Sequence, residues 1–163
     1  MTQMTLPNHD NGQKSALTAS GKPSVPRLAH GQIEQLQRFT ALYPLLVTDD
    51  ETMARTLYRA LFQHDRLTHL DTRSSQEALH LCEREPISLV ISDIMKPRMN
   101  GIAMLHHLRS NPITRHIPVL FVTGSSQLRQ TALQSGADGF ITKPYHPNEM
   151  LQEIWRILAQ HLG

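Results

Sequence analysis

Short hydrophobic runs alternate with amphipathic stretches from residue 44 to the end of the 163-residue chain. Each run has four to six residues, a length typical of buried strands, and is followed by apolar residues at helical spacing. The runs occur at residues 44–48, 67–70, 87–92, 117–122 and 139–142. The pattern therefore predicts five strands, each followed by a helix.

The predicted helices cover residues 52–64, 75–84, 100–111, 125–136 and 147–158. Their boundaries rest on residues that cap or end helices, namely Pro86, Asn100, Ser125 or Ser126, Gly136 and Pro147. In the first of them, Met53, Leu57, Ala60 and Leu61 share one face. Strands that alternate with helices form a parallel sheet covered on both faces, so we predict a doubly wound α/β fold.

The residues before the first strand have a different composition. Residues 1–30 are rich in small and polar residues, and they cannot bury enough surface to offset their ordering entropy. We therefore predict a disordered or loosely ordered extension. In residues 31–43, Ile33, Leu36, Phe39 and Tyr43 recur at helical spacing. This pattern predicts an extra helix, which lies either on its own domain or against a partner chain.

Composition excludes several classes of protein. The net charge is only +2, so no basic excess indicates direct binding of nucleic acid. Cys82 is the only cysteine, which rules out a disulfide framework or a cysteine-based metal site within one chain. No apolar run reaches membrane-spanning length, and the first residues lack the apolar core of a signal peptide. We expect a cytoplasmic protein that does not bind membranes.

Polar residues of complementary chemistry follow four of the five predicted strands. They are Asp49 and Asp50 after the first strand, Asp93 after the third, Thr123 and Gly124 at the fourth, and Lys143 after the fifth. In a parallel sheet all of these residues meet at the carboxyl edge, where α/β proteins bind ligands. Neighbouring strands lie only about 4.8 Å apart, so the carboxylates are expected to converge.

This set of residues suits phosphoryl transfer. Converging carboxylates repel one another, and a hard cation such as Mg²⁺ relieves the repulsion through oxygen ligands. Lys143 would offset the charge of a phosphoryl oxygen, Thr123 would donate a hydrogen bond to another, and Gly124 leaves space beside them. Asp93 would attack phosphorus and become an aspartyl phosphate, without a general base because the carboxylate is already ionised.

The same residues resemble the receiver domain of two-component response regulators over residues 44–158. The matching motifs are Asp49-Asp50, the loop from Asp93 to Gly101, Thr123-Gly124, Gly136-Ala137-Asp138-Gly139-Phe140 and Lys143-Pro144. The resemblance, closest to the chemotaxis-regulator type, implies a flavodoxin-like sheet of strand order 2-1-3-4-5. It also implies phosphorelay from a histidine kinase or a His-containing phosphotransfer protein to Asp93, with a receiver domain over residues 44–160.

Specific roles follow from the resemblance. It implies Mg²⁺ (or Mn²⁺) bound directly by Asp50, Asp93 and the backbone carbonyl of Met95, and by Asp49 through water. It implies that Thr123 and Phe140 change position together on phosphorylation; Phe140 has no hydroxyl, so it would act by packing alone. The expected readout surface is formed by the helix after the fourth strand, the fifth strand and the last helix.

The chain departs from the family pattern around Asp93. Lys96 occupies a position where an apolar residue is common, and we predict a solvated lysine there. Asn100 replaces a frequent Asp, but both residues cap helices well. Met95 lies two residues after Asp93, near the path of a water attacking the acyl phosphate. We therefore hypothesise that its apolar side chain slows hydrolysis.

We expect a phosphoprotein that switches protein–protein contacts with a downstream partner, as a monomer or a phosphorylation-dependent dimer. Because the chain ends at Gly163, directly after the last helix, we expect no attached output domain. It would not be an enzyme beyond its own phosphorylation and dephosphorylation. Three alternatives stay open: a phosphorylation-independent pseudo-receiver, the receiver part of a longer protein, and a Mg²⁺ phosphatase of the haloacid-dehalogenase type. The last commonly needs an acid at the position of Met95.

Overall fold

A computed structural model describes residues 24–162 as a parallel sheet between two layers of helices. The strands are β1 (Leu45–Thr48), β2 (His69–Thr72), β3 (Leu89–Ser92), β4 (Val119–Thr123) and β5 (Gly139–Thr142). Their order is β2-β1-β3-β4-β5, and every neighbouring pair is parallel. The predicted flavodoxin-like α/β fold is therefore confirmed, and the carboxyl ends of all these strands meet at one edge.

Helices of six to 13 residues cover both faces of the sheet. They are α1 (His30–Leu42), α2 (Thr52–His64), α3 (Ser75–Arg84), α4 (Gly101–Ser110), α5 (Arg129–Gln134) and α6 (Pro147–Leu158). Buried residues of α1, α2 and α6 pack on one face, and those of α3, α4 and α5 pack on the other. Asn100 caps α4, since its side chain accepts a 2.9 Å hydrogen bond from Ala103 N. The chain before α5 forms a 3-10 turn (Ser126–Leu128), and Ser125 makes no side-chain cap.

The extra helix α1 packs on its own domain. Ile33 and Leu36 are buried in the same cluster as α2, α6 and β1. Gln37 Nε2 donates a 2.9 Å hydrogen bond to the carbonyl of Asp65, at the end of α2. Ahead of the helix, the carbonyl of Val25 accepts a 3.0 Å hydrogen bond from Asn148 at the start of α6. The predicted extension over residues 1–30 otherwise lies largely outside the described residues.

Two local features differ from the sequence pattern. The second strand is His69–Thr72 rather than residues 67–70, because parallel pairing sets its end level with Thr48 of β1. In α2, the face that carries Met53 and Leu57 is turned outward, and these side chains are 69% and 61% exposed. The helix packs instead through Tyr58 and Phe62, whose larger rings bury more apolar surface.

Candidate functional site at the carboxyl edge of the sheet

Two carboxylates and one ammonium group meet where β1, β3 and β5 end. Lys143 Nζ lies 2.9 Å from Asp93 Oδ2 and 3.3 Å from Asp49 Oδ2. Asp49 is buried, and Asp93 is only 9% exposed. Burial acts to lower the pKa of Lys143, but hydrogen bonds and charge from Asp93 and Asp49 outweigh it and raise that pKa. The lysine therefore stays charged between the two acids.

The backbone around Asp93 is held by a tight loop. Asp93 Oδ1 accepts a 3.0 Å hydrogen bond from Met95 N, and Gly101 N donates a 2.9 Å hydrogen bond to the carbonyl of Ile94. A Cβ atom on Gly101 would lie 2.7 Å from the carbonyl oxygen of Asp93 and 2.7 Å from Phe121 Cε1. The first residue of α4 must therefore be small for the helix to approach Asp93.

Asp49 is positioned by a buried arginine that the sequence pattern did not single out. Arg55 Nη1 donates a 2.7 Å hydrogen bond to the carbonyl of Asp49, and the arginine is only 6% exposed. Asp49 Oδ1 also accepts a 3.0 Å hydrogen bond from Glu51 N at the start of α2. The helical spacing of Arg55 could have indicated its burial, because Arg55 lies three residues before Tyr58 and shares its face of the helix.

The other predicted site residues surround this centre. Asp50 is exposed at the edge of the sheet, next to Asp49. Thr123 is buried, and its carbonyl accepts a 2.8 Å hydrogen bond from Lys143 N, which aligns the ends of β4 and β5. Apart from Gly124 itself and its two chain neighbours, no atom of residues 24–162 lies within 4 Å of the position of a Cβ on Gly124, so space is open beside Thr123.

Phe140, the predicted switch residue, lies inside the fold. Its ring is 6% exposed and packs in the cluster on the α3–α5 face of the sheet. The guanidinium carbon of Arg129, at the start of α5, lies 5.7 Å from the ring centroid. A movement of the Phe140 ring would therefore directly alter its contact with Arg129 in α5.

Lys96 is buried, so the prediction of a solvated lysine is wrong. The residue is 8% exposed, and its Nζ donates a 3.0 Å hydrogen bond to Thr48 Oγ1 at the end of β1. Burial lowers the pKa of Lys96 to about 8, while the charges of Asp49, Asp93 and Asp50 act in the opposite direction. No sequence signal marked this residue, because its burial depends on the path of the loop after β3.

The oxygen donors fit Mg²⁺ better than a transition metal. Within residues 24–162, no group of three His, Cys, Asp or Glu side chains is arranged to hold a metal ion by itself. Mg²⁺ does not require such a group, since it keeps several waters and usually binds one or two carboxylates. The edge of the sheet supplies carboxylates at Asp49, Asp50 and Asp93 and a backbone carbonyl at Met95, all of them hard oxygen donors.

An apolar groove adjoins Lys143. It runs between α2 and the segment that leads from β5 to α6, and its lining includes Met53, Leu57, Tyr58 and Tyr145. Burial raises the pKa of Tyr58, and the neighbouring Tyr145 adds to the rise. Within the described part of the chain, the buried Tyr58 hydroxyl has no hydrogen-bond partner. The exposed face of α2 thus forms one wall of a groove that opens beside the acids.

Comparison with known proteins defines the family. The family model of the response regulator receiver domain matches residues 45–155, so this chain belongs to that family. The chain is 30% identical over 141 residues to histidine kinase P4 of Formosa agariphila, and 33% identical over 120 residues to a probable cyclic di-GMP phosphodiesterase of Vibrio cholerae. These matches cover 85% and 72% of this chain, but only 10% and 26% of the two relatives.

A solved structure agrees with this assignment. The receiver domain of a signal transduction histidine kinase from Syntrophus aciditrophicus is 28% identical, with a TM-score of 0.65. The match covers 71% of this chain and 89% of that one. Receiver domains are signalling modules of two-component systems, and this chain is one of them. None of the helices in residues 24–162 is long and apolar enough to cross a membrane.

Proposed function

We propose that this chain accepts a phosphoryl group on Asp93 from a histidine kinase or a His-containing phosphotransfer protein, and thereby changes its protein–protein contacts. The observation that carries the proposal is the position of the Lys143 ammonium, within 3.3 Å of both Asp49 and Asp93. This geometry pairs a carboxylate nucleophile with a cation that can neutralise the transferred group.

The chemical step needs few protein groups. One oxygen of Asp93 attacks the phosphorus of a phosphohistidine, and the new O–P bond forms as the N–P bond breaks. The imidazole nitrogen leaves with the electron pair of the broken bond. Lys143 would turn from the carboxylates to a phosphoryl oxygen, and the Thr123 hydroxyl would donate to another oxygen beside the open space at Gly124.

Mg²⁺ is the proposed cofactor. Asp50, Asp93 and the Met95 carbonyl would bind it directly, and Asp49 would bind it through water. When bound, the ion supplies positive charge that offsets the charge of the transferring phosphoryl group. The exposed carboxylate of Asp50 supports this assignment, because it can turn toward the ion without breaking a hydrogen bond to any described residue.

Thr123 and Phe140 are the proposed switch. Movement of the Thr123 hydroxyl toward the phosphoryl group would leave space next to β5. Phe140 already packs inside, so phosphorylation would change how tightly its ring and Arg129 are held rather than move a hydroxyl. The readout surface would be α5, β5 and α6, and the contact between Phe140 and Arg129 joins the first two of these elements.

The groove beside Lys143 is the proposed docking site for the phosphodonor. Its apolar wall contains Met53 and Leu57, which are exposed, and it opens next to the nucleophile. A Leu57→Ser variant should slow phosphotransfer from a phosphorylated His-containing phosphotransfer protein and leave phosphorylation by acetyl phosphate unchanged. Equal slowing with both donors would contradict docking at this groove.

Acetyl phosphate provides the main test. The full chain is incubated with acetyl phosphate and Mg²⁺, and the phosphorylated form is separated on Phos-tag gels and weighed by intact mass. We expect one added phosphoryl group on the parent protein and none on Asp93→Asn, with both proteins folded. An unmodified parent would indicate a pseudo-receiver, and repeated turnover of a phosphate ester would indicate a phosphatase.

A further inference from the structure

Lys96 brings a second ammonium group to the acidic site. Its Nζ is hydrogen-bonded to Thr48 Oγ1, and Thr48 directly precedes Asp49 in the chain. Leu46 packs on the α3–α5 face of the sheet, and Thr48, two residues later in the same strand, points to that face as well. Lys143 instead lines the groove beside α2. The carboxylates are therefore flanked by ammonium groups from both faces of the sheet.

No direct ion pair with a described residue compensates the buried charge of Lys96. Among the described residues, Thr48 is the only hydrogen-bond partner of the Lys96 ammonium, and no carboxylate forms an ion pair with it. A buried charge is costly unless other charges compensate it. Burial lowers the pKa of Lys96 to about 8, and the charges of Asp49, Asp93 and Asp50 act in the opposite direction, so the acidic site offsets part of the cost of burying the ammonium.

We propose that Lys96 is a built-in counter-charge of the acidic site, which weakens the binding of divalent cations there. The inference rests on the proposed magnesium site. With two ammonium groups against three carboxylates, the site holds less excess negative charge than Lys143 alone would leave. A cation entering the site is repelled by Lys96, because charges inside a protein interact through a lower effective dielectric constant than charges in water.

Substitutions at Lys96 separate its charge from its hydrogen bond. Lys96→Gln keeps a donor for Thr48 and removes the charge, Lys96→Met removes both, and Lys96→Arg keeps both. Arg115→Gln is the matched control, since Arg115 is exposed in the loop before β4, at the opposite edge of the sheet. It removes the same unit of charge far from the acids.

The measurement is the affinity for Mg²⁺ of the unphosphorylated full chain, by isothermal titration calorimetry at constant pH and ionic strength. We expect Lys96→Gln and Lys96→Met to bind Mg²⁺ roughly five- to fiftyfold more tightly than the parent. Lys96→Arg and Arg115→Gln should stay within about twofold of it. Unchanged or weaker binding by a folded Lys96→Gln would overturn the proposal, whether or not the parent binds Mg²⁺ measurably.

A metal-free experiment tests the same charge without relying on the ion. Denaturant unfolding in EDTA is measured for Lys96→Gln, Asp93→Asn and the double variant. If Lys96 compensates the carboxylates, the double variant should be more stable than the sum of the single effects predicts. Strictly additive effects would overturn the proposal. Neither readout involves phosphorylation, so failure of Asp93 to accept phosphate would be recognised separately.

Discussion

The Lys143 ammonium lies 2.9 Å from Asp93 Oδ2, although 50 residues separate the two in the chain. The contact joins the ends of β3 and β5, which are not neighbours in the sheet. It therefore depends on β4 lying between them at the correct register. The same ammonium is expected to leave Asp93 for the phosphoryl group, so a structural ion pair and a chemical role share one side chain.

Replacing Lys143 should slow phosphorylation strongly. In Lys143→Met, no ammonium offsets the charge of the transferring group, and we expect the rate with acetyl phosphate to fall about a hundredfold. Lys143→Arg keeps the charge in a group of different shape, and its phosphorylation rate should lie between those of the parent and Lys143→Met. The rates are measured on Phos-tag gels under pseudo-first-order conditions. A Lys143→Met rate close to that of the parent would argue against this role.

Met95 should control the lifetime of the phosphorylated state. Its side chain is 67% exposed beside Asp93, where it offers an attacking water no hydrogen bond. Met95→Asn supplies polar atoms at this position, and we expect faster loss of the phosphoryl group. Decay is followed by gel or mass after removal of acetyl phosphate, with Met95→Leu as an apolar control. Equal decay of Met95→Asn and the parent would refute the hypothesis.

Gly101 should tolerate no side chain. A Cβ atom there would lie 3.0 Å or less from the backbone of Asp93 and Ile94, so Gly101→Ala must displace the loop that carries the nucleophile. We expect a loss of about 2 kcal/mol in the free energy of unfolding, measured with urea. Gly31→Ala is the control, because among the described residues nothing beyond the backbone of α1 itself and the glycine's chain neighbours lies within 4 Å of its Cβ position. Because Gly31 lies in the first turn of α1 rather than in its middle, the free energy of unfolding of Gly31→Ala should stay within about 0.5 kcal/mol of the parent's.

The buried thiol of Cys82 should make stability fall at high pH. Burial, assisted by the charge of Glu83, raises the pKa of Cys82 from 9.0 to about 12. Between these values the unfolded thiol ionises while the folded one keeps its proton, so the free energy of unfolding decreases as pH rises. Between about pH 7 and 10.5, the free energy of unfolding of Cys82→Ala should therefore fall by about 1–2 kcal/mol less than that of the parent. If the free energies of unfolding of the parent and Cys82→Ala, measured with urea, changed equally with pH, this assignment would be contradicted.

The strand pattern alone was enough to predict a doubly wound α/β fold, because hydrophobic runs and helical spacing are local properties of the chain. The strand order 2-1-3-4-5 was predicted from the family resemblance. The strand pattern also placed Asp49, Asp93 and Lys143 at one edge, since parallel strands end on the same side. Tertiary packing determined two features that the local sequence pattern did not predict. The rings of Tyr58 and Phe62 determined which face of α2 is buried, and pairing with β1 determined the limits of β2.

The sequence by itself determined the order of elements and the chemistry of the strand ends, because both depend on residue type and spacing along the chain. Only the tertiary structure decided that Lys96 turns inward to Thr48 and that Arg55 holds the backbone of Asp49. The reason is physical: a long cationic side chain can reach either water or a buried acceptor. The choice depends on acids and hydroxyls that other segments bring near it.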